Sequence, residues 1–391
     1  MKQFPLVLFA ALIAFASCKK GDSTNTLTTP TPDPNACVSG TAATGSDVIA
    51  GRYIVAYQTG QVSRMATEAS LERNSENLLQ RHGIATGKLE AVFGGEPGGF
   101  IAILSEAEAV GLQSDPAIKA IEPDRVIALA NCFTIAEPRL ITWNVNRVGY
   151  GDGRGKTAWI IDSGIDMDHP DLVVDAARSR SFIGGNSTPD DENGHGTHVA
   201  GIIGAVNNNI GVLGVASGAT MVSMRVMGAD GKGILSSIIQ ALAFINTNAT
   251  AGDVVNMSLG LDALSPTLNE QVQSTAARGI YIAIAAGNDG QPANKYSPGS
   301  TNGANIYTVS ATDSLNRFAS FSNYGNDVVD YAAPGVGILS TYMGGKYARM
   351  SGTSMAAPHV AGLLLLKGRN LSSAGLVTND PDGAPDAIVH Y

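Results

Sequence analysis

Ala158-Trp159-Ile160-Ile161 runs directly into Asp162, and apolar runs of similar length recur at Met221-Val222-Ser223-Met224, Val254-Val255-Asn256-Met257 and Ile280-Tyr281-Ile282-Ala283-Ile284. Stretches with helical spacing separate them, Leu235 to Asn246 and Leu268 to Arg278 among them. A strand with one wet face alternates apolar and polar residues, whereas a strand covered on both faces reads as a continuous apolar run. The pattern therefore predicts an α/β domain, a mostly parallel sheet with helices on both faces. In such a sheet the crevice beyond the carboxyl ends of the strands takes the ligand, and Asp162 falls at one of those ends.

The 391 residues carry 25 Lys+Arg against 34 Asp+Glu, a net charge of −9. A chain with that balance lacks the cationic surplus that neutralises phosphates, so no nucleic-acid partner is expected. With 44% apolar residues the chain can fill a core, which sets it apart from disordered sequences. Three cysteines are too few for a disulfide scaffold. The 46 glycines point to tight turns and closely approaching backbone.

Residues 1–17 combine Lys2, an apolar run from Phe4 to Ala16 and small residues before Cys18. A bilayer span needs about 20 apolar residues, so this segment reads as a secretory signal peptide. Phe15-Ala16-Ser17-Cys18 resembles a bacterial lipobox, which implies lipid on Cys18, a membrane contact through it, and an exported lipoprotein in the periplasm or at the cell surface. An ordinary signal cut after Ser17 is the alternative. Residues 18–50, rich in Ser, Thr, Pro, Asp and Asn up to about Thr44, read as a tether.

Residues 51–130 read as a separate small α+β unit. Tyr53 to Tyr57, Lys88 to Phe93, Phe100 to Leu104 and Ala117 to Ile121 are strand-like, and Met65 to His82 has helical spacing. Ser105 followed by Glu108 is a capping-box signature for a second helix. The order β-α-β-β-α-β is that of a ferredoxin-like unit. At this size such a unit folds alone only marginally, so it is expected to lean on the larger domain, residues 131–391.

Three motifs carry chemistry. Asp162 lies in Ile161-Asp162-Ser163-Gly164, His195 in Asn193-Gly194-His195-Gly196-Thr197-His198-Val199-Ala200-Gly201, and Ser354 in Ser351-Gly352-Thr353-Ser354-Met355-Ala356-Ala357-Pro358-His359. Nucleophilic hydrolysis needs a nucleophile, a base that takes its proton and a carboxylate that orients the base. Taken singly, Asp162 and Asn288 also fit turn formers, and His195 with His198 fits a metal pair that lacks the usual further ligands. Ala356 replaces the last glycine of a Gly-x-Ser-x-Gly elbow, which argues against an α/β-hydrolase.

The order Asp, His, Ser and the three motifs resemble those of subtilisin-like serine proteases, over about Trp143 to Gly368. Phe321-Ser322-Asn323-Tyr324-Gly325 and Ala333-Pro334-Gly335 are similar to segments of the proteinase K branch. The resemblance implies a serine endopeptidase acting on proteins and peptides, with Asp162 as orienter, His195 as base and Ser354 as nucleophile. It implies Asn288, in Ala285-Ala286-Gly287-Asn288, as the oxyanion donor. Ser258-Leu259-Gly260, the Gly231-Lys232-Gly233 neighbourhood and Ala285, Ala286 and Gly287 would flank the substrate. No cofactor is needed for such chemistry. Calcium is implied as a structural ion, with Asp330 near the family's carboxylate position and no ligand set assigned. Residues 51–130 resemble the inhibitory propeptide of such enzymes, the chain's own intramolecular partner, cut within Leu129 to Phe133. Cys37 and Cys132 flank that unit, and a bridge between them and two separate thiols both remain open. A catalytically silent binding module on the same fold is the alternative function.

Overall fold

The computed structural model describes residues 48–60, 67–128, 132–135, 141–185 and 187–391. The signal segment, nearly all of the tether, Cys18 and Cys37 lie outside these residues. Strands of three or more residues are numbered below.

The larger domain is built on β6 (Thr157–Asp162), β7 (Thr220–Arg225), β9 (Val254–Met257), β10 (Tyr281–Ala285), β11 (Ile306–Thr312) and β12 (Val329–Pro334). They are parallel, in the spatial order β7-β6-β9-β10-β11-β12. Successive side chains serve opposite faces of the sheet. Ala158 and Ile160 join the core that includes α4 (His195–Gly204) and α7 (Thr353–Lys367), while Trp159 and Ile161 join the core of α5 (Leu235–Asn248) and α6 (Pro266–Ala276). Full burial of such an apolar side chain contributes about 1.5–3 kcal/mol, so the runs that predicted these strands stay apolar on both faces. The chain leaves β6 for β7 on one side and returns to β9 on the other. The ends of β6 and β9 therefore flank the switch point where open sheets form their crevice.

The small unit comprises β1 (Val48–Tyr57), α1 (Glu68–Arg81), β2 (Leu89–Phe93), β3 (Gly99–Ile103), α2 (Glu106–Leu112) and β4 (Ile118–Ala128). Its antiparallel order β4-β1-β3-β2 is that of the ferredoxin-like arrangement. Ser105 and Glu108 form the expected capping box of α2. The fourth strand runs to Ala128 rather than stopping at Ile121. Its end pairs antiparallel with β8 (Lys232–Ile234) of the larger domain, placing Val126 opposite Ile234, Ile127 opposite Gly233 and Ala128 opposite Lys232. Local periodicity could not show this extension, because the partner lies more than a hundred residues away.

The unit does lean on the larger domain. Ile54, Phe93, Ile101 and Ile127 share an apolar core with α5 and α6. Two of its carboxylates meet the amino ends of those helices: Asp124 accepts from Ser236 N at 3.0 Å, and Glu122 accepts from Thr267 N at 3.1 Å and Ser265 Oγ at 3.0 Å. Each satisfies an amide that helix geometry leaves without an internal partner, and places negative charge at the positive end of the dipole.

An antiparallel hairpin, β13 (Ile338–Tyr342) and β14 (Lys346–Ser351), lies beside α4, and β5 (Cys132–Ile135) pairs with the outer edge of β14. The tail past Gly368, too polar to show periodicity, forms β15 (Ser372–Leu376) and β16 (Ala387–His390), and β16 extends the sheet parallel to β12. Among the described residues no helix is long and apolar enough to cross a membrane.

This edge holds two acids. Asp330, exposed, accepts from Thr308 N at 2.8 Å. Asp386, buried, accepts from Ser310 Oγ, and burial followed by its acidic neighbours pushes it up to about 6. A carboxyl whose folded pKa exceeds its unfolded value favours folding most when protonated, so this support declines from pH about 4 to about 6. Asp386→Asn, made in a Ser354→Ala background, should gain melting temperature over its parent increasingly across that interval and by a constant amount above it. A difference that does not vary between pH 4 and 8 would contradict the assignment.

Candidate active site

Asp162 is the last residue of β6 and is fully buried. The chain then turns sharply at Gly164, whose φ is 120° and where a Cβ would lie 2.7 Å from the Asp190 carbonyl oxygen. That contact seats the turn on the segment leading to α4. Asp191 ties the two together. Its Oδ1 accepts from Ser163 Oγ, Asn193 N and Gly194 N, each at 2.9 Å, and its Oδ2 accepts from Thr197 N at 3.0 Å and Thr197 Oγ1 at 2.6 Å. Ser163 Oγ in turn accepts from Gly196 N at 3.0 Å. The carboxylate thus caps α4 and fixes its first residue, His195, against the end of β6. His195 Nδ1 and Asp162 Oδ1 stand 2.8 Å apart, both side chains wholly buried.

Ser354 occupies the second position of α7, immediately after β14. Its hydroxyl donates to the Ser258 carbonyl at 3.1 Å, and Ser258 Oγ donates back to the Ser354 carbonyl at 2.8 Å. Asn256 Nδ2 supports Ser258 Oγ at 2.8 Å. Asn288 lies just beyond β10. Its Oδ1 accepts from Thr353 N at 2.8 Å and Thr353 Oγ1 at 3.0 Å, which leaves the amide nitrogen as a donor beside the amino end of α7. Gly287 N donates to Thr353 Oγ1 at 3.2 Å. Asn323 braces this turn through bonds to the Ala286 and Gly287 carbonyls. A Cβ on Gly287, whose φ is 109°, would lie 2.3 Å from Asn323 Nδ2.

The predicted residues converge from three strand ends, but the Ser354 hydroxyl bonds Ser258 rather than the imidazole. His195 Nε2 and Asp162 Oδ2 are buried with no hydrogen-bond partner among the described residues. An unsatisfied buried polar atom costs roughly 1–3 kcal/mol, and such atoms cluster where a reaction will supply the missing partner. His198 and His359 have separate structural roles. His198 Nε2 faces the carbonyls of Ile338 and Ala348, and His359 bonds Met355 and Asn144. Burial holds His198 down to about 3 and His359 down to about 4, so both are neutral imidazoles at pH 7.

The Peptidase S8 model of the subtilase family matches residues 153–373. The chain belongs to the subtilase family. This subtilase is 42% identical over 277 residues to the alkaline protease of Alkalihalobacillus alcalophilus, an alignment covering 69% of each chain. It is 43% identical over 240 residues to subtilisin BL of Lederbergia lenta, covering 59% of this chain and 86% of the relative. A crystal structure of a cold-adapted subtilisin-like serine proteinase superposes with a TM-score of 0.55 at 31% identity, covering 64% of this chain and 98% of the other. The subtilase is accordingly a serine endopeptidase on a subtilisin-like α/β fold.

Asp330 is the residue that the resemblance singles out for calcium. It offers one carboxylate, already bonded to Thr308 N, and among the described residues no group of three or more His, Cys, Asp or Glu side chains converges. No ligand set is assigned and no chemical step needs one.

Asp191, the carboxylate that braces His195, was missed by sequence reasoning, because an acid four residues before a helix carries no distinctive signal until the turns it joins are seen together. A neutral amide in its place would present an NH₂ group to donors on one side, so Asp191→Asn should fail nearly as badly as Asp191→Ala. Displacing a reacting group by about 1 Å can cost about a hundredfold in rate. A loss of kcat on that scale, with KM little changed and active sites counted by titration, is expected of both variants. A kcat within about twofold of the parent would contradict the positioning role.

Proposed function

We propose that the chain is an exported, self-processing endopeptidase of broad specificity, in which Asp162, His195 and Ser354 form the catalytic triad. The observation that carries this reading is the buried Asp162–His195 bond, whose imidazole keeps Nε2 unpartnered. In the reacting enzyme the Ser354 hydroxyl exchanges the Ser258 carbonyl for that nitrogen.

As Oγ attacks the substrate carbonyl carbon, a C–O bond forms and the hydroxyl proton passes to Nε2. Asp162 holds Nδ1–H and balances the imidazolium. The carbonyl oxygen becomes an oxyanion, served by Asn288 Nδ2 and the Ser354 N–H, which lies in the first turn of α7 where no intrahelical acceptor exists. Loss of one such donor typically costs about 2.7–4 kcal/mol in the transition state. Collapse breaks the C–N bond, and Nε2 returns its proton to the leaving amine. Water then attacks the acyl-enzyme by the same route, giving a carboxylic acid product and restoring Ser354. Ser258 to Gly260, at the end of β9, and the Gly231–Gly233 segment flank the peptide on either side, with Ala285 to Gly287 beside Asn288 at the end of β10, and backbone pairing gives affinity with modest side-chain choice.

Residues 51–130 act as the inhibitory propeptide. Support comes from the Val126–Ala128 pairing with β8, which lays the strand in the manner of a substrate, and from the Glu122 and Asp124 caps on α6 and α5. Export, the lipid on Cys18 and release after processing belong to this reading and rest on the sequence alone. The catalytically silent alternative has no observation in its favour.

Wild-type protein should yield a mature form beginning within residues 130–133, and Ser354→Ala should keep residues 51–391 in one piece. Mass and N-terminal sequence measure both, and normal cleavage of Ser354→Ala would contradict self-processing. Removal of both caps, Glu122→Ala with Asp124→Ala, should speed release of the cleaved unit. Each lost cap is worth about 1 kcal/mol, so dissociation should rise roughly five- to thirtyfold for the pair. An unchanged release rate on size exclusion would show that the caps do not hold the complex.

A further inference from the structure

Arg225 is the last residue of β7, stands opposite Asp162 in the parallel ladder and is only 1% exposed. A guanidinium stays charged at any ordinary pH, so it is buried only where acceptors replace its water. Nε donates to the Met227 carbonyl at 3.2 Å, Nη1 to the carbonyls of Asp190 at 2.7 Å and Thr188 at 3.2 Å, and Nη2 to Glu192 Oε2 at 2.8 Å. All of these acceptors except Met227 lie within residues 188–192. That stretch carries Asp191, the brace of His195, and its Asp190 carbonyl is the atom on which the Gly164 turn sits.

Residues 188–192 need such a hold. Where His359 of α7 bonds Asn144 of α3 (Trp143–Val148), each partner is already fixed by its own helix. The stretch from Thr188 to Glu192 forms neither helix nor strand, and Thr188, Asp190 and Glu192 are exposed, so apolar burial does not place it. Side chains of β7 do. Ser223 Oγ donates to the Pro189 carbonyl at 2.8 Å, and Arg225 takes the carbonyls on either side of it. We propose that Arg225 is a positioning residue for the reaction, acting through residues 188–192 to keep the Asp191 carboxylate, and with it His195, in register with Asp162. Arg225 is too deeply buried to meet a substrate. Its fixed point on the other side is the Met227 carbonyl, in a residue that bridges to Gly233 of β8. This inference rests on the triad reading above.

Lysine in place of Arg225 keeps the charge but carries its donors on one nitrogen, so it cannot serve acceptors spread along a guanidinium. Arg225→Lys, processed and freed of its propeptide, is compared with wild type on a peptide p-nitroanilide, with active sites counted by titration so that misfolded molecules drop out. Its kcat should fall about tenfold while KM stays within about twofold, because a shifted imidazole slows the chemistry and leaves the substrate's own contacts alone. Asp191→Asn and the double variant complete the cycle. Groups that act through one network do not add. The double variant should therefore lose about a hundredfold in kcat, as Asp191→Asn does alone, rather than about a thousandfold. A kcat for Arg225→Lys within about twofold of wild type, or losses that multiply in the double variant, would overturn the proposal. Arg225→Gln, a neutral donor, is read by the same two criteria, so the outcome does not depend on lysine being accommodated. Either adverse result with a wild type that is labelled on Ser354 by a fluorophosphonate counts against Arg225 alone. A wild type that neither takes the label there nor hydrolyses the anilide would instead sink the triad reading.

Discussion

A hydrogen bond of 2.8 Å between His195 and Asp162, sealed from solvent on both sides, sets the requirements for the surrounding structure. A buried carboxylate beside a ring nitrogen is expensive to desolvate and is kept only where the geometry around it is held firmly. Here β6 delivers Asp162 at the carboxyl edge of the sheet, and α4 delivers His195 as its first residue. Asp191 joins the two turns through five hydrogen bonds, so neither side chain moves without the other. The requirement explains where glycine is indispensable. Gly194, with φ 101°, enters α4 beneath the Tyr342 ring, where a Cβ would approach to 2.1 Å, and Gly196 passes the Gly164 carbonyl at a distance that allows no side chain.

Ser354, the proposed nucleophile, comes from a different part of the chain and is held in a different way. Ser354 depends on the β14 to α7 junction, on Asn288 through Thr353 and on Ser258 through a reciprocal pair of bonds. Its present partner is a carbonyl rather than the imidazole, so the His195–Asp162 pair is formed without the serine hydroxyl. The end of β4 is held by helix caps and a shared apolar core, and β5 by its ladder with β14, the strand that leads into Ser354.

Much of this was legible in the residues. The apolar runs beginning at Ala158, Met221 and Val254 each became a parallel strand buried on both faces, because nothing but continuous apolar sequence survives there. The three motifs in Asp, His, Ser order lie at one strand end and two helix starts, where small residues let backbone pass closely. What local pattern could not supply was partnership at long range. The extension of β4 past Arg125 depends on β8, the tail strands β15 and β16 on the edge of β12, and the position of Asp191 on two turns meeting. The orientation of the Ser354 hydroxyl lies beyond sequence for the same reason, because Ser258 is brought near only by the sheet. Cys37 and Cys132 keep the question they posed, as Cys37 and the Cys132 side chain lie outside what the structure describes.

The central claim is that the Asp162–His195 pair activates Ser354. Its most direct measurement is the rate of covalent labelling by a fluorophosphonate, with the modified residue mapped by mass spectrometry, in wild type and in Asp162→Asn. The account predicts a label on Ser354 alone, and a rate lower by about four orders of magnitude when the orienting carboxylate becomes an amide. Labelling of another serine, or an Asp162→Asn rate within about tenfold of wild type, would contradict it.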